Sequence, residues 1–447
     1  MGKEKTKNPN KVGIGKFWGW QARGTSMGCY VIILGYLSFY CTDTLMLDPK
    51  VVGTLLLLSK VFDGITDLFA GFIIDNTKTK LGKARPYEFA IIALWGCTWL
   101  LYSCPESFST TLKYVWIFIM YVLINAVFAT ILYANQTPYM LRAFPNQDQI
   151  VKVNSYGGIV VTIGCAVVSM LFPQMMATMA TSGAGWSKLV GIFALPLVVL
   201  GMLRFLLVKE TVEIDSDSSS KITFKDILSA LRTNKYIYFI FGLMLLYNFI
   251  IGTNSYTYYF TYIGGGIERY TALASLSMPL LIVMFIFPKV LQKGVTISKL
   301  IMFGGICGVV GYALNFIAGA SMPILMIAAV LYSFAGLPIA YLSGLLILDC
   351  AEYNVLTGKK RMETTLSAIS NVGTKLGQGF GAAALGFMLS AFGYDGAAVV
   401  QSSGALMGIR CLYSVIPAAL YLLIVLIMWR YNLDTKVLPE LRAKKNQ

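Results

Sequence analysis

The chain alternates long apolar stretches with short polar ones. Each apolar stretch is almost free of charge and is long enough for a helix of about 20 residues, which crosses a hydrocarbon core of about 30 Å. A helix also satisfies its own backbone hydrogen bonds in lipid. We therefore predict an all-α, polytopic membrane protein of about twelve spans, near residues 22–46, 50–76, 87–104, 112–141, 153–178, 184–208, 236–263, 271–290, 299–318, 322–350, 365–392 and 406–430.

One polar, Ser-rich segment divides these spans into two sets of six. Such a segment is unsuited to a core and reads as a linker. Two pseudo-symmetric halves joined in this way are typical of transporters that rock about a site at the bilayer midplane. The predicted organisation is an N-terminal segment 1–21, a six-helix bundle 22–208, the linker 209–235, a second six-helix bundle 236–430 and a tail 431–447.

Composition and charge support a membrane location. Charged residues make up 13% of the chain, against about 25% in soluble domains. The formal net charge of +15 does not indicate nucleic-acid binding, because most Lys and Arg residues fall between spans on one side. This asymmetry predicts that both termini are cytoplasmic. We expect the chain to lie in a bacterial inner (plasma) membrane, with the lipid bilayer and a small-molecule substrate as partners.

Other function classes find little support. The eight cysteines are scattered and histidine is absent, which argues against disulfides and Cys/His metal sites. The chain shows no nucleophile–base pattern typical of an enzyme and no segment long enough for a signalling domain. We expect no cofactor other than a coupling ion.

The second predicted span carries two acids. Asp63 and Asp67 lie four residues apart, so they share a helix face beside Lys60 and Thr66. A charge at the bilayer centre costs about 2.5–3.5 kcal/mol on insertion scales, so retained acids usually act. We predict that they bind the coupling cation, either H⁺ or Na⁺. The alternative is that Lys60 neutralises one acid and the pair only locks helices.

Lys375 is the charged residue of the eleventh span, where it lies among Gly373, Gly377 and Gly381. A lysine in a span needs a carboxylate or an anionic substrate. We predict that Lys375 faces the two acids of the second span and links cation to substrate. The glycines at spacing four indicate close helix packing, with hinge motion as the alternative.

Further polar residues are candidate substrate ligands. Arg23 lies near the inner end of the first span, and Tyr133, Asn135 and Gln136 precede Pro138 in the fourth. Because proline frees a backbone carbonyl one turn back, this stretch offers hydrogen-bond acceptors. Buried-amide packing is the alternative for Asn135 and Gln136.

Several motifs resemble the glycoside-pentoside-hexuronide:cation symporter family. Asp63-Gly-Ile-Thr-Asp67 is followed by Gly71, Asp75 and Gly82-Lys-Ala-Arg-Pro86, as in the family's second span and loop. Further similarities cover both halves, at Tyr40-Cys-Thr42-Asp43, Tyr247-Asn248, Tyr258-Tyr-Phe260, Asp349-x-x-Glu352-Tyr353, Arg361-x-Glu363 and Lys375.

The resemblance implies the major facilitator fold, a functional monomer and sugar–cation symport. It implies that Asp63 and Asp67 form the cation site with Thr66 as a polar neighbour, that Lys375 links this site to the sugar, and that Asn248 lies at the substrate. The pairs of Asp75 with Lys78 or Lys80, and of Glu352 with Arg361, are candidate gate locks or ordinary loop pairs.

The chain also departs from the family at its sugar-site positions. The resemblance places Gly24 and Gln136 at two sugar-binding aspartates, Tyr133 at a threonine near the cation, and Met140 and Ala340 at two tryptophans. Loss of the threonine favours the proton over sodium. Because Arg23 and Lys375 remain, we predict a sugar derivative such as an acidic glycoside or hexuronide. The alternative is a non-sugar amphipathic or lipid-like solute.

Overall fold

The computed structural model describes residues 12–76, 79, 82, 84–144, 146–211, 232, 234–358, 363–398 and 400–445, and the regular structure in these residues is helical. Every predicted span is helical, which confirms the fold class. The principal helices of the first six spans are α1 Ile14–Leu34, α2 Pro49–Asn76, α3 Ala90–Leu101, α4 Thr110–Val122, α5 Gln147–Met179 and α6 Gly183–Leu207. Those of the second six are α7 Tyr236–Thr253, α8 Ile267–Leu280, α9 Ile297–Ala318, α10 Met322–Leu356, α11 Glu363–Ala391 and α12 Val415–Arg430.

Shorter helical pieces extend several of these helices. The π-helical turn Tyr40–Thr44 follows α1, and a 3₁₀ turn, Arg85–Phe89, precedes α3. After α4 the chain continues as the π-helical segment Leu123–Ala129 and then as the helices Thr130–Ala134 and Gln136–Ala143. The remaining pieces are Leu37–Phe39, Tyr256–Tyr262, Leu281–Phe285, Phe287–Gln292, Ser403–Tyr413, Leu433–Val437 and Leu438–Lys445.

Eight helices in the described residues are long and apolar enough to cross a membrane by length and composition. The other four predicted spans are α2, α3, α8 and α11. Of these, α2 carries several charges, α3 has only 12 residues, and α8 ends in a 3₁₀ turn. Charged, short or broken spans are typical of membrane proteins in which such helices are shielded by their neighbours.

The chain divides into two compact units. The first contains Met1–Tyr40 and Phe62–Ser219, and the second contains Cys41–Val61 and Ser220–Gln447. The division therefore falls within α2, whose first half belongs to the second unit. Residues 212–231 of the predicted linker lie outside the described residues.

A buried serine connects three helices of the first unit. The Ser26 hydroxyl on α1 donates to the Leu197 carbonyl of α6 at 2.7 Å and accepts from the Trp95 indole of α3 at 2.9 Å. All three side chains lie away from solvent, or nearly so. Because polar groups in lipid need partners within the protein, these bonds hold the register of the three helices.

Glycines allow close contact between α7 and α11 in the second unit. A Cβ at position 373 would lie 2.9 Å from the Phe241 carbonyl oxygen, and one at position 377 would lie 3.0 Å from the Asn248 Cβ. Gly381 likewise faces the α7 backbone. These contacts confirm the packing interpretation of the glycine pattern, and they place Lys375 on a helix held tightly against α7.

Candidate functional site

A buried carboxylate lies in the second half of α2. Asp63 is only 5% exposed, and its Oδ1 lies 2.8 Å from the hydroxyl of Thr130, which is also buried. The same hydroxyl lies 3.0 Å from the Asn125 carbonyl oxygen. Because a hydroxyl has one hydrogen, Thr130 donates to one of these acceptors at a time. The Thr130 hydroxyl is thus a neutral donor that is able to switch between the Asp63 carboxylate and the Asn125 carbonyl.

Thr130 reaches Asp63 because the helix around it is irregular. It follows directly on the π-helical segment Leu123–Ala129, which contains the Asn125 carbonyl. A π-helical turn carries one extra residue per turn and rotates the side chains that come after it. Such turns are frequent at functional sites.

The expectation that Tyr133 replaces the threonine near the cation site is wrong. The structure places a threonine at Asp63, three residues earlier, at Thr130. The threonine-based argument for the proton over sodium therefore falls away.

Tyrosines surround this carboxylate in the first unit. Tyr30 on α1 lies near Tyr133, and both Tyr30 and Tyr121 are near enough to interact electrostatically with Asp63. Tyr30 is buried, whereas Tyr133 is 52% exposed. Tyr133 therefore presents an exposed ring on the short helix that also carries Thr130.

Thr66 and Asp67, which were predicted to accompany Asp63, have surroundings that differ from those of Asp63. The Thr66 hydroxyl donates to the Asp63 backbone carbonyl at 3.1 Å. Asp67 is exposed, although it lies one helical turn from Asp63. The two acids therefore share a helix face but have different environments.

A second charged cluster in the first unit lies entirely away from solvent. Glu88, in the 3₁₀ turn before α3, lies between Arg23 of α1 at 3.4 Å and Arg204 of α6 at 3.7 Å. The two guanidinium groups also donate to the Leu132 carbonyl and to the Gln136 side chain, at 2.5 and 2.7 Å. Two cations thus share one carboxylate, and backbone and amide oxygens supply the remaining acceptors.

Two of the residues predicted as substrate ligands before Pro138, Asn135 and Gln136, belong to this cluster. Asn135 is fully buried, and its amide donates to the Ala84 carbonyl at 2.8 Å and to Glu88 at 3.3 Å. The Arg204 guanidinium also stacks 3.7 Å above the Trp20 ring. Arg23, Asn135 and Gln136 are therefore brought together, and each contacts protein groups.

In the second unit, Asn248 of α7 lies against α11. Its amide donates to the Met244 carbonyl at 2.9 Å and lies 3.4 Å from the Thr374 hydroxyl, the residue before Lys375. Gln378 donates to the Asn248 side chain at 3.4 Å. The structure thus places Asn248 beside the helical turn that carries Lys375.

Lys60 of α2 packs against α11 at Gly379, one turn after Lys375. A Cβ at Gly379, four residues after Lys375, would lie 3.2 Å from the Lys60 Cβ. The aliphatic stem of Lys60 therefore packs on α11, one turn from the predicted coupling lysine. This contact belongs to the first half of α2, which is part of the second unit.

A family model described as MFS/sugar transport protein matches residues 25–435. The chain belongs to the glycoside-pentoside-hexuronide:cation symporter family of the major facilitator superfamily. It is therefore a membrane transporter, as the span pattern and the motifs predicted.

Curated relatives of this symporter match over nearly their whole length. It is 29% identical to the uncharacterized symporter YnaJ of Bacillus subtilis, over 91% of this chain and 89% of the relative. It is 25% identical to the isoprimeverose transporter of Lactiplantibacillus pentosus, over 94% and 88%. Identity to the glucuronide carrier protein homolog of Escherichia coli is also 25%, over 91% and 89%.

A solved structure with the same fold is that of the nucleoside transporter NupG. It superposes with a TM-score of 0.67 at 14% sequence identity and covers 95% of this symporter and all of NupG. At this identity the likeness establishes the fold, which agrees with the predicted major facilitator architecture.

Of the candidate gating residues in the symporter, one has a described partner. Glu352 accepts two hydrogen bonds from Arg442, at 2.8 and 2.7 Å, in a half-exposed pair near the C-terminus. Arg361, its predicted partner, lies outside the described residues, as do Lys78, Lys80 and the side chain of Asp75.

Sequence reasoning missed three residues of the clusters in the first unit. Thr130 was missed because the resemblance to the family placed Tyr133 at the threonine near the cation. Glu88 and Arg204 lie near the ends of the predicted third and sixth spans, where charges are usually solvated. A signal was present for Glu88, because an acid inside a predicted apolar span usually has a partner in the protein.

Proposed function

We propose that this symporter couples the inward movement of H⁺ or Na⁺ to the uptake of a sugar derivative, specifically an acidic glycoside or hexuronide. The observation that carries the proposal is the buried Asp63 carboxylate with the Thr130 hydroxyl at 2.8 Å. The family membership supports the transport class, and the identity of the substrate is inferred from the site.

The cation site is assigned to Asp63, with Asp67 and Thr66 on the same helix. Burying an ionised carboxylate is costly unless a cation or a proton compensates its charge. Carboxylate and hydroxyl oxygens are the ligands that a hard cation takes, and the same carboxylate is able to accept a proton. We infer that the ion whose gradient drives transport binds at Asp63.

The substrate contacts are assigned to Lys375, Asn248 and Tyr133. Lys375 supplies a positive charge for an acidic group, Asn248 supplies an amide on the neighbouring helix, and Tyr133 supplies an exposed ring. A relative named as a glucuronide carrier homolog supports an acidic sugar. Because Arg23, Asn135 and Gln136 contact Glu88 and Arg204, we assign them to holding the first unit together.

The membrane, the orientation of the termini and the oligomeric state are assigned from the charge distribution and from the family. We assign the chain to the bacterial inner membrane as a monomer of two six-helix halves joined by a cytoplasmic linker, with both termini in the cytoplasm. Asp75, Glu352 and Arg361 then lie on the cytoplasmic side, and we assign them to locks that break when the substrate path opens inward. The described ion pair among them is that of Glu352 with Arg442.

The experiment that tests this function uses purified protein in sealed vesicles. Neutral glycosides, uronides and amphipathic solutes are added one at a time while internal pH and internal sodium are followed. An acidic glycoside is expected to drive the entry of one of the two ions. Lys375→Ala is expected to remove this entry, while Lys299→Ala, a change at an exposed lysine at the start of α9, leaves it intact.

Two outcomes would contradict the proposal. If no sugar of either charge moves an ion while an amphipathic solute is transported, the substrate assignment is wrong and the lipid-like alternative holds. If Lys375→Ala retains full ion entry, Lys375 does not link the cation to the substrate.

A further inference from the structure

An acidic side chain that the proposed cation site does not use lies just after α1. Asp43 belongs to the π-helical turn Tyr40–Thr44, and its Oδ1 accepts hydrogen bonds from the hydroxyls of Tyr262 and of Tyr394, the latter at 2.5 Å. The Thr42 hydroxyl donates to Oδ2 at 2.6 Å. Within the described part of the chain, no lysine or arginine forms an ion pair with Asp43. Three neutral hydroxyl groups therefore hold this carboxylate.

The two tyrosine donors come from helices that are distant in sequence from the turn. Tyr262 ends the helix Tyr256–Tyr262, which follows α7 after a break at Asn254, where φ is 45°. Tyr394 comes just after the end of α11, and its hydroxyl lies 3.1 Å from that of Tyr262. Both tyrosines belong to the second unit, as does the segment Cys41–Val61. The end of α1 is thus bound to the second half of the chain.

The backbone next to the turn also packs closely on α11 and on the loop that follows it. A Cβ at Gly396 would collide with the Thr42 carbonyl oxygen, and a Cβ at Gly386 would collide with the Pro49 carbonyl oxygen at the start of α2. Glycine at these two positions therefore allows a close approach of the two chain segments. The hydrogen bonds to the carboxylate form at the edge of this tightly packed contact.

A carboxylate held by hydroxyl groups suits a contact that breaks in each transport cycle. Separating a buried pair of carboxylate and guanidinium would leave a charge without compensation on both sides. With neutral donors, opening the contact leaves one charge to be hydrated, and water supplies the same kind of donor as the hydroxyl groups did. The closed and open arrangements are then close in free energy, as alternation between two states requires.

The three parts of the cluster lie at corresponding ends of their spans. Asp43 lies at the end of the first predicted span, Tyr262 at the end of the seventh and Tyr394 just after the eleventh. Odd-numbered spans all end on the same side of a membrane, and with a cytoplasmic N-terminus that side is the outside. The cluster is therefore on the opposite side from Glu352 and its ion pair, which follow the tenth span.

We infer that Asp43, Tyr262 and Tyr394 form an outer lock, whose hydrogen bonds are made in this structure and break when the substrate path opens outward. They are positioning residues of the transport cycle, because they hold the outer ends of α1 and α2 against the second half of the chain and contact no solute. The inference rests on the proposed function, which supplies the transport cycle and the orientation in the membrane.

A native cysteine reports whether this lock is closed. Cys41 is fully buried and lies near the side chain of Tyr258, whose hydroxyl is 2.8 Å from that of Thr42. The test treats the full-length protein in detergent with a charged maleimide, without solute or ion gradient, and mass spectrometry of the peptides measures the rate of modification of Cys41. Cys350, fully buried in the core of the second unit, is the internal control for unfolding.

The variants remove the donors or the acceptor. Tyr262→Phe combined with Tyr394→Phe removes two hydroxyls and keeps both rings. We expect the modification rate of Cys41 to rise at least about tenfold, because the closed arrangement loses two hydrogen bonds to a charged group. Asp43→Ala is expected to act in the same direction, with no change at Cys350 in either variant. Tyr238→Phe, at a tyrosine 53% exposed on α7, is the matched control and is expected to leave both rates at the wild-type value.

Two results would overturn the inference. If Cys41 is modified at the wild-type rate in both lock variants, the hydrogen bonds to Asp43 do not hold the outer end closed. If Cys41 and Cys350 are modified faster together in both variants, the cluster stabilises the fold and is not a lock. Because the labelling needs neither solute nor ion, its result is independent of ion entry in vesicles, and either assignment is able to fail alone.

Discussion

Asp63→Asn is expected to abolish accumulation of solute driven by a cation gradient. The amide has the shape of the carboxylate and still accepts a hydrogen bond from Thr130, but it carries no charge and takes up no proton at physiological pH. We expect the accumulation ratio to fall by at least about tenfold, which corresponds to about 1.4 kcal/mol of coupling energy. Exchange of labelled for unlabelled solute across the membrane is expected to persist. Uptake with and without an imposed gradient measures both quantities.

Two further variants make this expectation specific to Asp63. Thr130→Val removes the hydroxyl at nearly constant volume and is expected to weaken the apparent cation affinity about tenfold, as loss of a partner to a ligand typically does. Asp48→Asn is the matched control, because the exposed Asp48 caps the start of α2 and asparagine caps equally well. Full accumulation in Asp63→Asn, or an equal loss in Asp48→Asn, would contradict the assignment.

Glu88→Gln is expected to destabilise the protein strongly. The substitution leaves the guanidinium groups of Arg23 and Arg204 buried together without their carboxylate. Removing one partner of a buried ion pair costs about 3–5 kcal/mol, because the remaining charge is uncompensated. Thermal unfolding of the purified protein, followed by loss of the folded-protein peak in size-exclusion chromatography, measures the effect.

The same chemical change at an exposed pair serves as the control for stability. Glu352 and Arg442 are 37% and 52% exposed, and exposed ion pairs contribute about 0–1 kcal/mol. Glu352→Gln is therefore expected to shift the unfolding temperature far less than Glu88→Gln. Equal shifts in the two variants would show that the buried cluster does not stabilise the first unit.

The spans were predictable because lipid imposes one simple rule on the backbone. The ninth span, predicted near 299–318, is the helix Ile297–Ala318. Agreement is looser for the first span, which was predicted from residue 22 but begins at Ile14, and for the tenth, which was predicted to end at residue 350 but ends at Leu356. The breaks were not predictable in the same way. Asn254 and the π-helical segment Leu123–Ala129 depend on contacts with other helices, and hydrophobic pattern carries no record of those contacts.

The site was predictable to the extent that it depends on charge within a span. Asp63 and Lys375 stood out because charges are costly in lipid. The partner of Asp63 did not, since a threonine in an apolar helix is unremarkable and since the π-helical turn rotates Thr130 toward the acid. The pairing of Glu88 with Arg23 of α1 and Arg204 of α6 also arises only from tertiary packing.

The measurement that tests the central claim most directly is the accumulation of a labelled acidic glycoside by vesicles with an imposed inward cation gradient. The account predicts accumulation above the external concentration for as long as the gradient lasts, and return to equality when an ionophore dissipates it. Equilibration to the same level with and without the gradient would contradict coupled transport by this protein.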